Sequence, residues 1–243
     1  MIQSIRSYLF IMQMYVMMAV IGLAFVPYAL FAKEGARMCC KTFSRWVFWT
    51  MGWMVGIRHE VRGDVPEGEV LIAAKHQSFL DIMMIFTALP KAKFIMKRDI
   101  LWTPIIGFYA KRLECVPVIR GKRGAAIGKM VADVQAGRVD PGQLIIYSQG
   151  TRVAPGVKAP YKVGTGVLYE QLHQPCVPVA TNVGVFWPRK GMWRKPGVAV
   201  VEFLPAIPPG MERNAFLKLL EDVVETRSDA LMREGGFDPD GGY

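Results

Sequence analysis

Residues 8–32, YLFIMQMYVMMAVIGLAFVPYALFA, carry no charge and only one strongly polar side chain, Gln13. A stretch of this length can cross a bilayer core as a helix. It constrains the fold strongly, because backbone placed in lipid must satisfy its own hydrogen bonds. Pro27 lacks an amide N–H and predicts a kink near the end of the stretch. The run is too long for the apolar core of a secretory signal and no small-residue cleavage site clearly follows it, so retention is expected.

A second apolar run, Trp46 to Ile57, places Trp46, Trp49 and Trp53 at the i, i+3, i+7 spacing of one helix face. Tryptophan suits a headgroup boundary, where ring and N–H have opposite preferences. Two arrangements are open. The runs form a membrane element, spanning or lying as a hairpin in one leaflet, or they form a hairpin buried against the rest of the chain. Basic residues flank the first run on both sides, Arg6 before it and Lys33, Arg37 and Lys41 after it. Their balance slightly favours a body on the cytoplasmic side of an inner (cytoplasmic) membrane.

The remaining sequence carries enough apolar residues for one substantial core, and 243 residues leave room for one main domain plus an appendage. The apolar fraction is 52% and argues against disorder. Thirty Lys and Arg against twenty Asp and Glu give +10. That charge suits anionic lipids, phosphorylated substrates, coenzyme A, acidic carrier proteins or nucleic acid. The cations are dispersed and no base-reading motif is present, which ranks nucleic acid last. Cys39, Cys40, Cys115 and Cys176 have neither zinc-site nor Cys-x-x-Cys spacing and read as free thiols in a reducing compartment.

Beyond Val61, short apolar runs alternate with helix-like stretches, the pattern of an α/β domain with a helix-covered sheet. Strands are predicted over Val70 to Ala74, Lys93 to Met96, Cys115 to Ile119, Leu144 to Ser148, Cys176 to Val183 and Val198 to Phe203. Helices are predicted over Phe79 to Ala88, Pro104 to Arg112, Gly124 to Ala136, Gly164 to His173 and Met211 to Arg233. The expected division is a membrane-anchoring helical element over 1–58, an α/β domain over 59–234 and a flexible tail over 235–243.

The first of these strands runs into Lys75, His76, Gln77, Ser78, Phe79, Leu80 and Asp81. His76 therefore lies at a carboxyl strand end, where open α/β sheets bind ligands. Ser78 and Asp81 fit a helix-capping box. On a continuous helix, residues five apart point about 140° from each other, so His76 reaches Asp81 only if the loop folds back. Asp81 would then accept the Nδ1–H and leave Nε2 as a base, the histidine–carboxylate part of a hydrolase triad without its serine. The plainer reading is a cap beside a loop histidine. His59 and His173 have no such setting and read as structural or surface residues.

A later strand ends in Gln149, Gly150, Thr151 and Arg152, where glycine permits close backbone approach and arginine can grip an anion through two N–H groups. Arg120 and Lys97 stand at two further strand ends. Each cation taken singly reads as a solvated surface charge.

Together these segments resemble the 1-acyl-sn-glycerol-3-phosphate acyltransferase family over roughly residues 60–210. Its His-x4-Asp block is met by His76 to Asp81, with Lys75 where asparagine is commonest. Its second block is similar to Gly107 through Val118, Ile119 and Arg120. Its third, usually Phe-Pro-Glu-Gly-Thr-Arg, is Tyr147, Ser148, Gln149, Gly150, Thr151 and Arg152, and its fourth is Val177, Pro178 and Val179.

The resemblance implies a glycerolipid-acyltransferase-like mixed sheet behind a two-helix membrane element, with no metal and no cofactor. It implies His76 as general base, Asp81 as its orienting partner, and Lys97, Arg120 and Arg152 holding an acceptor phosphate, with Gln149, Gly150 and Thr151 in the same substrate-binding segment. The implied reaction moves an acyl group from acyl carrier protein or coenzyme A to the sn-2 hydroxyl of lysophosphatidic acid, giving phosphatidic acid. Gln149 departs from the usual glutamate. It keeps open another acceptor, such as lyso-ornithine lipid or lysophosphatidylglycerol, and a non-catalytic lipid-binding protein.

Overall fold

The computed structural model describes residues 2–118, 128, 132 and 141–241. The expected helix over 124–136 and the candidate Arg120 lie outside the described residues. Three helices come first: α1 Ile2–Ala24, α2 Val26–Phe31 and α3 Lys33–Val55. The break after Ala24, with Pro27 in the first turn of α2, is the interruption expected of proline.

α1 and α3 form an antiparallel hairpin whose pairing is set by the polar residue of the first run. Gln13 donates to the Thr50 hydroxyl at 3.0 Å and accepts from the Trp46 indole at 2.7 Å, so its amide is satisfied inside apolar surroundings. At one end of α1, Gln3 donates to the Val55 carbonyl at 3.1 Å. At the other, Gly22 lies so close to α5 (Pro104–Arg112) that a Cβ there would sit 2.7 Å from Ile105 Cγ2.

Among the described residues, one seven-stranded sheet has the order β1–β7–β6–β2–β5–β3–β4. The strands are β1 Ile57–Arg62, β2 Leu71–Ala74, β3 Ala92–Lys97, β4 Val116–Val118, β5 Gln143–Tyr147, β6 Cys176–Thr181 and β7 Gly197–Phe203. The β6–β7 pair is antiparallel and the other neighbours are parallel, the mixed α/β sheet that was expected. β2 and β6 are buried throughout, as central strands covered on both faces must be.

Alternation divides the core. Leu71, Ala73, Leu144 and Ile146 face α6 (Val163–Leu172) and the C-terminal α8 (Arg213–Glu234), which follows the short α7 (Val183–Phe186). Ile72, Ala74 and Ile145 face the other way, into the cluster shared with α1, α3 and α4 (Leu80–Ala88).

Three expectations changed. The second apolar run stops at Val55 rather than Ile57, because Gly56 caps α3 in the left-handed region at φ 74°. The next residues form an additional strand, β1, which straddles the expected boundary at 58/59. Its sequence IRHEVR is charged and mostly exposed, a composition suited to an edge strand but poor as a strand signal. The segment expected to be a loose tail carries Phe237, which is 7% exposed and packs into the main core. An aromatic side chain with a pocket holds a Gly- and Asp-rich stretch that composition alone would leave free.

Candidate active site

β2 is the central strand, flanked by β5 and β6, and the ladder continues past its end: Lys75 N–H donates to the Val179 carbonyl at 3.0 Å. His76 follows, leaving the sheet at its carboxyl edge. The chain then reverses into α4. Asp81, completely buried, accepts the Gln77 and Ser78 backbone N–H groups on Oδ2 at 2.8 and 2.7 Å.

Those two bonds satisfy buried loop donors just ahead of α4 and fold the loop back, which brings His76 Nδ1 to 2.8 Å from Asp81 Oδ1. Ser78 accepts the Leu80 N–H at 3.3 Å, but the N-cap of α4 is Phe79 without a side-chain cap, so of the expected capping box only the backward bond, from the Ser78 N–H to Asp81, is present. With Asp81 accepting at Nδ1, the favoured tautomer leaves Nε2 as the free lone pair.

The imidazole stacks on Tyr147 at 3.9 Å between ring centres and 18° between planes, which fixes the ring from its face as Asp81 fixes it from its edge. Burial, and then the neighbouring Asp81 charge, hold the Tyr147 phenol far above its usual range. Its hydroxyl therefore stays neutral. Tyr147 opens the third sequence block, and nothing in the spacing there distinguishes it as functional.

His76 opens on a cavity of about 620 Å³, within the range typical of small-ligand sites. Lys97, Gly150, Thr151 and Arg152 line it with His76, so four of the expected substrate-binding positions share one space. Gly150 has φ 69°, a conformation that favours glycine, and its N–H closes a turn on the Tyr147 carbonyl at 2.8 Å. The Val153 N–H donates to the His76 carbonyl at 2.8 Å, tying the arginine loop to the histidine loop.

Arg189, which sequence reasoning missed, joins the group and donates to the Arg152 carbonyl at 3.0 Å. Among the described residues Lys97, Arg152 and Arg189 have no carboxylate partner, so their charge is directed to the cavity and solvent. From this polar end the cavity extends between Phe79, Met83 and Phe86 of the α4 region to Met18 of α1 and Cys39, Cys40 and Phe43 of α3.

Gln149 is placed differently. It is 2% exposed and its side chain turns away from the cavity, donating to the Ala159 carbonyl at 3.2 Å and to Glu225 at 3.4 Å. Lys75, also 2% exposed, is ion-paired with the same Glu225. Glu225 lies on α8, far along the chain, and no local pattern points to it. All four cysteines are free thiols. Among the described residues no group of three His, Cys, Asp or Glu side chains is arranged to hold a metal ion.

A carboxylate-oriented imidazole at the mouth of an apolar cavity, beside cations that have no carboxylate partner among the described residues, can take a proton from a hydroxyl while an anion and a hydrocarbon chain are held on either side. Comparisons with known proteins agree with an acyl-transfer class. A family model described as Acyltransferase matches residues 56–182, just over half of the chain. The chain belongs to the acyltransferase family and is an acyl-transferring enzyme.

It is 26% identical over 210 residues to a 1-acyl-sn-glycerol-3-phosphate acyltransferase of Pseudomonas aeruginosa, covering 85% of this chain and 82% of the relative. It is 31% identical over 171 residues to the human 1-acyl-sn-glycerol-3-phosphate acyltransferase beta, covering 65% and 61%. It is 28% identical over 159 residues to the Limnanthes alba enzyme of the first name and spans 56% of that protein's length. The crystal structure of the 1-acyl-sn-glycerophosphate acyltransferase PlsC from Thermotoga maritima superposes with a TM-score of 0.78 at 20% identity, covering 94% of this chain and 97% of that one. The fold is shared.

Proposed function

We propose that the chain transfers a fatty acyl group from a thioester of acyl carrier protein or coenzyme A to the sn-2 hydroxyl of lysophosphatidic acid, giving phosphatidic acid. The observation that carries this reading is the 2.8 Å contact between His76 Nδ1 and buried Asp81 at the head of a cavity that is cationic at one end and apolar at the other. His76 Nε2 takes the hydroxyl proton as the oxygen attacks the thioester carbonyl. The tetrahedral intermediate then expels the thiolate, which takes that proton from the imidazolium and leaves as the free thiol. Asp81 keeps the imidazole in the right tautomer and stabilises its transient charge.

Lys97, Arg152 and Arg189 suit a phosphate monoester, and the aliphatic and aromatic walls suit an acyl chain. The relatives named 1-acyl-sn-glycerol-3-phosphate acyltransferases support that acceptor.

The same proposal puts the reaction at the cytoplasmic face of the inner membrane, with the N-terminal hairpin lying in one leaflet. Both ends of α1 are fastened to the same domain. Gln3 donates to the Arg194 carbonyl at 2.8 Å, and Tyr109 donates to the Gly22 carbonyl at 2.6 Å. A helix of 23 residues, about 35 Å long, is therefore held alongside the body rather than projecting from it. Its outer face exposes Leu9, Met12 and Val16, next to Trp49 and Trp53, which are 60% and 58% exposed.

The test is His76→Ala assayed in detergent with both donor classes against lysophosphatidate, lysophosphatidylglycerol and lyso-ornithine lipid, alongside flotation on anionic vesicles. Turnover is expected to disappear while vesicle binding persists. Near wild-type turnover in the variant refutes the base assignment, a preference of the wild type for lyso-ornithine lipid, which carries no phosphate, refutes the phosphate assignment, and a preference for lysophosphatidylglycerol refutes the monoester.

A further inference from the structure

We propose that Glu225 is a positioning residue for acyl transfer, a single carboxylate from the C-terminal helix that holds the histidine loop and the arginine loop in register. The proposal rests on the acyl-transfer reading above. Glu225 touches neither the cavity nor His76, and it lies outside the residues matched by the family model.

Its two oxygens have different duties. Oε2 takes the ammonium of Lys75, the residue immediately before His76. Oε1 takes the Gln149 amide at 3.4 Å and the Tyr161 hydroxyl at 3.0 Å. Gln149 immediately precedes Gly150, Thr151 and Arg152, so one side chain grips the chain directly upstream of both functional loops. Lys75 is buried among the strands, and a buried ammonium is tolerated only with a counter-charge. Removing that charge pushes Lys75 to seek solvent or another partner, and the adjacent histidine moves with it. The backbone bond from Val153 to the His76 carbonyl passes such a shift on to Arg152.

The same geometry explains why an amide stands at position 149. A carboxylate there would place a second negative charge about where the Gln149 amide nitrogen now meets Glu225, with only Lys75 to offset both. Asp229 and Glu221, four residues to either side of Glu225 on α8, make the neighbourhood still less tolerant of added negative charge. The pair therefore has room for one carboxylate, at 149 or at 225, and the other position must be a neutral donor.

That statement is tested by exchange. Full-length Glu225→Gln, Gln149→Glu and the double variant are assayed for kcat, for acceptor KM and for thermal midpoint. Misplacing reacting groups by a fraction of an ångström to an ångström costs about tenfold to a hundredfold, so each single variant is expected to lose at least about tenfold in kcat/KM, with kcat falling and KM rising together. The double variant, which restores one carboxylate facing Lys75, is expected to return to within about threefold of wild type, a coupling a double-mutant cycle reads directly.

Either single variant within threefold of wild type overturns the proposal, and so does a double variant no better than the poorer single one. If a single variant fails to fold, the double variant decides, since recovery of folding and turnover supports the exchange and their absence overturns it. His76→Ala in the same assay separates the two levels. Its retained turnover is the failure of the catalytic reading, whereas an inert His76→Ala beside a fully active Glu225→Gln is the failure of the clasp alone.

Discussion

Replacing Asp81 by asparagine should stop the reaction without dismantling the site, because the amide can satisfy only one side of what the carboxylate satisfies. Asp81 Oδ2 accepts two buried N–H groups, from Gln77 and Ser78, and Oδ1 accepts one from His76. Asparagine has one acceptor and one donor end. Turning its NH2 toward Gln77 and Ser78 would leave two buried donors facing a third, at about 1–3 kcal/mol for each group left unsatisfied. Turning its oxygen toward them keeps the loop folded and costs little. That second orientation wins, and it aims an N–H at His76 Nδ1.

The imidazole must then carry its proton on Nε2, the nitrogen that faces the cavity, and the base is lost although every atom is nearly in place. Loss of a general base is worth about 10²–10⁴ in rate, or about 3–5 kcal/mol of barrier. The assay is thiol release from an acyl thioester at saturating acceptor, with acceptor KM and thermal midpoint measured beside it. The expected result is a kcat lowered by at least about a hundredfold, with KM within a few-fold of wild type and the protein still folded. Turnover within threefold of wild type would refute the tautomer argument, and so would a loss of activity fully accounted for by unfolding.

Cys40→Trp narrows the α3 end of the cavity and should shift the preferred acyl chain to shorter lengths, with kcat on a short-chain thioester retained, as measured across a donor series; an unchanged chain-length profile removes the cavity from acyl binding. Phe237→Ala should cost about 3 kcal/mol of stability, the usual penalty for emptying a buried aromatic site, read as a lowered denaturation midpoint. A change below about 0.5 kcal/mol would mean that the segment after Gly235 is not held by its aromatic side chain.

The sequence disclosed the histidine–aspartate contact because the device that makes it is local. Ser78 and Asp81 announce a helix start, and once Asp81 reaches back to the backbone of Gln77 and Ser78, His76 has nowhere else to lie. The same locality exposed Gly150 and Arg152, since a strand end, a glycine and a cation follow one another in the chain. The charged strand Ile57–Arg62 gave no such signal, because an edge strand is held by its partner β7 and only one of its side chains, Ile57, is buried.

Glu225 was invisible for the opposite reason. Its partners Lys75, Gln149 and Tyr161 are 64 to 150 residues away, and only the packing of α8 across the sheet brings them together. Gln149 was for that reason read as a change in what the site binds, when its amide faces a carboxylate behind the site. The two residues that depart from the family pattern, Lys75 and Gln149, thus meet at one side chain. A motif read along the chain shows such substitutions as separate anomalies; in three dimensions they share one half-buried carboxylate, whose partner is the buried ammonium of Lys75.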